Sequence, residues 1–373
     1  MTRVGISALS ALLLLTSSHS AFAEWGLNMT EGVTRISHEV HDLHMIIFYI
    51  CVAIAVAVFG VMLYSIIYHR KSRGAQASNF HESTTVEIIW TVAPLLILIA
   101  MAIPATNTLI DMYDNKDAEI DIQITGYQWK WRYTYLNEEV DFFSVLSTPQ
   151  DQIDNKAEKN VNYLLEVDKP LILPVNTKVR FLLTSKDVIH SWWVPELAVK
   201  KDTIPGFINE SWAIIDEPGI YRGQCTELCG AGHGYMPIVV KAVSKDEYKE
   251  WVTQQAIEQA AAKEVKEMSF DELMVQGEKV YASNCAACHQ KDGSGMPPMF
   301  PALKGSPIAL GDIDKHLKMV LYGKPGTAMS AFAEQLSVSD IAAVVTYERN
   351  AWGNEKGDSA SPKYVKDIKD NKK

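Results

Sequence analysis

One stretch constrains this chain more than any other. Between Cys225 and Met236 stand two thiols (Cys225, Cys229), the His233 imidazole and the Met236 thioether, with Gly230, Gly232 and Gly234 among them. Glycines let such a loop fold tightly, because they accept backbone angles that other residues resist. A second imidazole is available upstream, at His190 in Asp187-Val188-Ile189-His190. Three chemistries compete for these donors. A Cys225–Cys229 disulfide suits an oxidising compartment but explains neither His233 nor Met236. Structural zinc has little use for a thioether and prefers a two-residue cysteine spacing. Copper accepts thiolate, imidazole and thioether together. A mononuclear blue site needs a single cysteine, so this loop has one too many. Two bridging thiolates with a histidine on each side would instead hold two coppers close enough to share an electron.

The 373 residues allow two modest domains plus membrane segments, and the net charge of −10 argues against nucleic acid and for a basic partner. Cysteines fall at 51, 225, 229, 285 and 288, and each of the two close pairs has a histidine after it. Cys51 stands alone in an apolar stretch and reads as a buried, inert thiol.

From the N-terminus, residues 1–23 have the pattern of a secretory signal: Arg3, an apolar run, then Ala21-Phe22-Ala23. The mature chain is expected to begin near Glu24, outside the cytoplasm. His38, His41 and His44 share one side of a helix and read as a polar face at a membrane surface. Residues 24–115 are expected to form a hairpin of two spans, about 43–68 and 88–110. Pro94 and Pro104 are tolerated in a membrane helix. Arg70, Lys71 and Arg73 lie in the connection, which should therefore face the cytoplasm. Glu87 opens the second span, and an acid near lipid can serve proton uptake.

From Glu119 the hydrophobic period changes to two. Ile120, Ile122 and Ile124 share one strand face; Trp129, Trp131, Tyr133 and Tyr135 share another, with Lys130, Arg132 and Thr134 opposite. A bulge near Gly126 would account for the change of register. Further strands are expected at 162–167, 178–184, 210–215 and 238–243, so residues 116–245 read as a β-sandwich. The cysteine loop falls between its last two strands, and His190 falls in a loop after a middle one. Residues 246–268, rich in Ala, Glu, Gln and Lys, read as a stiff helical linker with too few apolar residues for a core.

Cys285-Ala286-Ala287-Cys288-His289 is the attachment pattern of a c-type haem. The thiols lie one helical turn apart, and the next residue is the imidazole for the iron. A dithiol redox pair would leave His289 without a reason. The sixth ligand should be a methionine, and Met296, Met299, Met319 and Met329 are available. A closing helix is expected over 337–350, capped by Ser337. Residues 269–355 thus read as an all-α haem domain, and the lysine-rich tail 356–373 as disordered.

Cys-x-Glu-x-Cys-x-x-x-His-x-x-Met resembles the dinuclear copper (CuA) loop of cytochrome c oxidase subunit II. The resemblance implies a cupredoxin-like sandwich in which Cys225 and Cys229 bridge two coppers, completed by His190, His233 and Met236. Glu227 would offer its carbonyl to copper and its carboxylate to a magnesium or manganese ion at the contact with subunit I. In the Gln-Trp-x-Trp motif at 128–131, Trp129 matches the residue through which electrons arrive, although Lys130 stands where the family commonly has an aromatic. Glu87 matches a glutamate at the mouth of a proton path. The loop from Tyr322 to Met329 resembles the methionine loop of class I cytochromes c, which selects Met329.

The whole chain therefore resembles an oxidase subunit II with a fused C-terminal cytochrome c domain, anchored in the bacterial inner membrane with its copper and haem domains in the periplasm. Implied partners are subunit I, subunit III and an external cytochrome c or similar donor. The implied order runs from donor to haem, Trp129, the copper pair and subunit I, where oxygen is reduced and protons are pumped. Tethering a haem beside the copper replaces a diffusional encounter by an effective concentration on the order of millimolar. A copper-delivery protein would not need the haem motif. A copper nitrite or nitrous oxide reductase would need more copper ligands, and a quinol oxidase subunit II would lack those present.

Overall fold

A computed structural model describes residues 28–76, 81–262 and 265–371. The signal-like residues 1–23, the expected mature start and part of the linker lie outside the described residues. The described chain divides into two compact units. The first holds residues 28–31 and 41–75, which is most of helix α1 (Arg35–Tyr68) and a short turn of helix, Lys71–Arg73. In it His44 meets Asn28 Oδ1 at 2.9 Å. Cys51 is exposed on α1 rather than buried, because the helix surface around it carries no protein packing.

The second unit begins with helix α2 (Thr84–Met112). α1 and α2 are each long and apolar enough to cross a membrane, and their apolar windows have no residue buried by protein. Exposed leucine, isoleucine and valine over that length require lipid or partner helices as their surroundings. The lower end of α2 is tied to the sandwich: Trp212 donates its indole N–H to the Asp111 carbonyl at 3.1 Å, and Lys178 Nζ donates to the Asp114 carbonyl at 2.8 Å.

Ten strands follow: β1 (Ile120–Tyr127), β2 (Lys130–Tyr135), β3 (Val140–Ser144), β4 (Leu171–Pro174), β5 (Val179–Ser185), β6 (His190–Val194), β7 (Val199–Thr203), β8 (Asn209–Ala213), β9 (Gly219–Cys225) and β10 (Pro237–Val243). They form two five-stranded sheets, ordered β3-β2-β1-β5-β8 and β4-β10-β9-β6-β7. Ile122, Ile124, Trp131, Tyr133, Phe181 and Leu183 from the first sheet bury against Leu171, Trp192, Val194, Ile238 and Val240 from the second. Truncating any one of the large aromatics here costs roughly 3–5 kcal/mol. Their polar atoms are also paired, as when Trp192 donates its indole N–H to Tyr133 Oη at 3.3 Å.

Three local expectations need correction. β1 and β2 pair without interruption from Ile122↔Tyr135 to Tyr127↔Lys130, so Gly126 makes no bulge. The apparent register change arises because Gln128 and Trp129 form the hairpin turn, not a strand. Residues 162–167 are not a strand: 162–164 form turns, only Val167 makes an isolated bridge, to Leu146, and all six side chains are half-buried. Helix α3 (Lys245–Ala262) covers most of the expected linker but does have a core: Tyr248 is buried, and Trp251 packs on Tyr135 at 5.1 Å between ring centres. Its sparse apolar residues borrow the sandwich's.

The C-terminal domain packs α4 (Phe270–Asn284), α5 (Ile313–Tyr322) and α6 (Val338–Asn350) around Leu273, Val280, Leu317, Leu321, Ile341, Val344 and Val345. Capping boxes at Ser269/Glu272 and Ser337/Asp340 start α4 and α6. The tail is not disordered. Ser361 caps α7 (Pro362–Asp370), Val365 is fully buried, and Lys369 Nζ donates to the Ala333 carbonyl at 2.6 Å. The short apolar spacing Val365–Ile368 is enough for one helix face within a lysine-rich run.

Candidate metal centre and haem-attachment segment

Strand order assembles the metal centre. β6 and β9 are neighbours in register Trp192↔Cys225, which sets His190, the first residue of β6, beside the end of β9. His190 is thus on a strand rather than in the expected loop. A His190 ring nitrogen, Cys225 Sγ and Cys229 Sγ lie within 4.8 Å of one another, all three residues buried. The two sulfurs lie 3.9 Å apart and are not bonded to each other. Cys229 Sγ is also 3.5 Å from His233 Nδ1 and 3.6 Å from Met236 Sδ. The Glu227 carbonyl oxygen lies 3.4 Å from Cys225 Sγ, while its side chain is exposed.

The electrostatics suit a cation. The hydrogen bond from the Cys229 thiol, above all, holds Cys225 down at about 3 against the opposing effect of burial. The same pairing, with burial, pushes Cys229 up. The two thiols hydrogen-bond to each other, and a cation between the sulfurs would favour the thiolate form of both. His190 Nε2–H donates to Asp187 Oδ1 at 2.8 Å. Burial lowers its pKa, but Asp187 and then Cys225 outweigh that and raise it. Its Nδ1 is buried and has no hydrogen-bond partner among the described residues. A buried ring nitrogen without a partner is costly and fits a site meant for a metal. The donor set of two thiolates, two imidazoles and a thioether fits copper better than zinc.

Residues that the sequence did not place at this site also shape it. Asp187 holds the His190 ring and also accepts the Gln128 backbone N–H at 2.7 Å. Its place three residues before His190 was the available signal, but only the fold shows the contact. Gly126 is fixed by close approach: a Cβ there would come within 2.7 Å of the His190 ring. Trp131 donates its indole N–H to the Met236 carbonyl at 3.2 Å.

Trp129, half-buried in the β1–β2 turn, donates its indole N–H to the Cys229 carbonyl at 3.1 Å, and Gln128 Nε2 donates to the same oxygen at 2.8 Å. A side chain at Gly232 would collide with the Trp129 ring. The turn and the cysteine loop are therefore one packed assembly.

In the C-terminal domain, Cys285 and Cys288 bracket a helical turn, and His289 N–H donates to the Cys285 carbonyl at 2.9 Å. His289 Nδ1–H donates to the Pro301 carbonyl at 2.8 Å. That bond fixes the tautomer and leaves Nε2 free for an iron, so the segment fits a covalently attached haem. Burial raises both thiol pKa values, for Cys285 well above the ordinary value. Of the candidate methionines, Met299 is 75% exposed; Met296, Met319 and Met329 are half-buried. Glu87 is exposed in the first turn of α2.

Comparison with known proteins gives three consecutive family matches. Residues 22–107 match the transmembrane domain of cytochrome c oxidase subunit II, residues 120–243 match its periplasmic domain, and residues 272–347 match subunit III of cbb3-type cytochrome c oxidase. A probable cytochrome c oxidase subunit 2 of Rickettsia bellii is 36% identical over 64% of this chain and 89% of its own length. Cytochrome c oxidase subunit 2 of Cyanidium caldarium is 37% identical over 63% of this chain and 92% of its own. The crystal structure of the periplasmic domain of cytochrome oxidase subunit II from Bradyrhizobium japonicum is 37% identical, covering 38% of this chain and 96% of that one, with a TM-score of 0.34. The membrane-helix pair, the cysteine-loop sandwich and the haem-attachment domain follow one another as these matches do, and the chain belongs to the cytochrome c oxidase subunit II family, with a cytochrome c domain fused at its C-terminus.

Proposed function

We propose that this chain is the electron-receiving subunit of a proton-pumping cytochrome c oxidase, and that it carries its own haem donor. The observation behind this reading is the buried cluster of His190, Cys225 and Cys229, with an unpartnered His190 Nδ1 and with His233 and Met236 beside it. When bound, a dinuclear copper centre and a haem c supply one-electron chemistry, so that electrons run from an external cytochrome c through the haem segment and Trp129 to the copper loop and on to the oxygen-reducing subunit I.

The chain's residues do the holding. Cys225, Cys229, His190, His233, Met236 and the Glu227 carbonyl would hold the copper centre. Asp187 aims His190 by accepting its Nε2–H, which leaves Nδ1 as the nitrogen available to copper. Burial of Cys225, Cys229 and Met236, each at most 5% exposed, keeps water out, which limits rearrangement on electron transfer. Cys285 and Cys288 would anchor the haem covalently, and His289 and Met329 would hold its iron. The exposed Glu227 carboxylate is free to meet magnesium or manganese at the subunit I surface; subunit III completes the assembly.

α1 and α2 span the bacterial inner membrane, with Arg70, Lys71 and Arg73 on the cytoplasmic side and both globular domains in the periplasm. Glu87 then lies at the cytoplasmic end of α2, where a proton path can begin.

The test uses the assembled oxidase and a soluble cytochrome c donor. Flow mixing should show the haem on Cys285/Cys288 reduced first and the copper second. Trp129→Phe should slow the second phase at least about tenfold, an added barrier of about 1.4 kcal/mol. Copper reduced before haem, or a second phase indifferent to Trp129, would contradict the proposed order.

A further inference from the structure

Lys130 departs from its surroundings. It follows Trp129 in the copper domain, yet it is 5% exposed. Its ammonium donates to Asn284 Oδ1 at 2.8 Å and sits over two aromatic rings, Phe143 at 4.7 Å and Phe332 at 5.4 Å from the ring centres. Phe143 belongs to the sandwich. Asn284 and Phe332 belong to the cytochrome domain, and both lie next to haem-binding segments. Asn284 immediately precedes Cys285, and Phe332 follows Met329 by three residues. One buried cation thus touches the flanks of both arms expected to grip the haem, while its own neighbour, Trp129, is bonded to the Cys229 carbonyl.

A buried ammonium is costly unless its donors are satisfied, and ring faces provide attraction but no acceptor. Burial lowers Lys130 to about 8, and the Asp187 carboxylate opposes that fall. A residue present only to fill this space would be better apolar. The cation is retained where it joins two domains.

We propose that Lys130 is a positioning residue, a latch that holds the cytochrome domain docked on the copper domain with its haem-attachment segment fixed beside the Trp129 turn. The tether alone makes the encounter intramolecular; the latch adds orientation. Its consequence for electron flow rests on the proposed function, but the docking does not. The link runs from Cys285 through its peptide bond to Asn284, across the hydrogen bond to Lys130, and through the next peptide bond to Trp129. No proton or bond changes hands; what the latch sets is a distance.

The test is made in the full chain, purified in detergent, with Lys130→Met, Lys130→Arg and Asn284→Leu. Losing a hydrogen bond to a charged group shifts a docking equilibrium by about tenfold to a hundredfold. Amide hydrogen exchange over 284–289 and 128–130 should therefore quicken about tenfold or more in Lys130→Met. Lys130→Arg, which keeps charge and donors, should restore slow exchange. Asn284→Leu leaves every copper-domain residue intact and should reproduce the loss if Lys130→Met fails to fold. Exchange unchanged in both Lys130→Met and Asn284→Leu, or lost equally in Lys130→Arg, would overturn the latch. In the assembled oxidase, flash-initiated transfer from haem to copper should be insensitive to salt in the parent protein and about tenfold slower in Lys130→Met, with both absorption spectra unchanged. Amide exchange needs neither copper nor haem, so a chain that binds neither would refute the proposed function while leaving the latch to be judged by exchange alone.

Discussion

The two cofactor regions of this chain are built on opposite plans. The cysteine loop draws donors from separate places, His190 on β6 and Cys225 at the end of β9, and a β-sheet ladder brings them together. Asp187, Gly126, Trp131 and the Trp129 turn then hold the loop in a buried, prearranged form. The haem segment carries its anchors within a single helical turn and needs one distant bond, from His289 to the Pro301 carbonyl. A metal held only by coordination needs donors already aimed at it. A cofactor joined by covalent bonds can rely on local spacing, with packing left to follow.

The sharpest way to break that comparison is to remove one anchor from each region. Cys225→Ser should weaken copper binding at least about a hundredfold, since a ligand counts for more than its supporting shell, and leave haem attachment intact. Cys288→Ala should disturb attachment and leave the copper spectrum alone. Metal analysis and haem staining of the same sample read both. If either substitution abolishes both cofactors, the regions are not independent.

The supporting shell is the next test. Asp187→Ala removes the partner of His190 Nε2–H and the anchor of the Gln128 backbone N–H. Copper affinity, read by competition with a chelator, should fall about 10- to 100-fold, with the haem unaffected. An unchanged affinity would mean that the ladder alone sets His190.

This contrast also explains what the sequence disclosed. Both cysteine motifs, both apolar spans, the later strands at 178–184, 210–215 and 238–243 and the Ser337 cap were legible, because each is written in consecutive residues. The turn at Gln128-Trp129 was not, since a glycine fixed by the distant His190 ring resembles a bulge in one dimension. The contact of Lys130 with Asn284, 154 residues away, could not be read from the sequence, and the bond from His190 to Asp187 needed the fold to appear. The α7 tail was hidden by its lysines, although its one buried valine suffices when α6 supplies the other half of the contact.

The smallest effect sharpens the haem side. Arg349, 2% exposed, donates to the Ala309 and Gly311 carbonyls at 2.7 and 3.1 Å and pairs with Asp358 at 2.6 Å. That hydrogen bond holds the Asp358 carboxyl below its ordinary range. A depressed carboxyl stabilises the fold above its unfolded pKa, about 3.9, and the contribution disappears as pH falls through the folded value. Asp358 is 41% exposed, so solvent screening discounts the pair. Asp358→Asn should cost about 1–2 kcal/mol at neutral pH. The gap from the parent should close below about pH 4, as read from thermal unfolding followed at the haem band. A gap constant with pH would assign the loss to packing rather than charge.

The most direct test of the account is to load the full chain with copper and haem, then measure metal content and the paramagnetic resonance spectrum together. The account predicts two coppers per chain sharing one unpaired electron, alongside one covalently bound haem. A single copper, zinc in its place, or a Cys225–Cys229 disulfide that excludes metal would contradict it and favour reversible copper carriage instead.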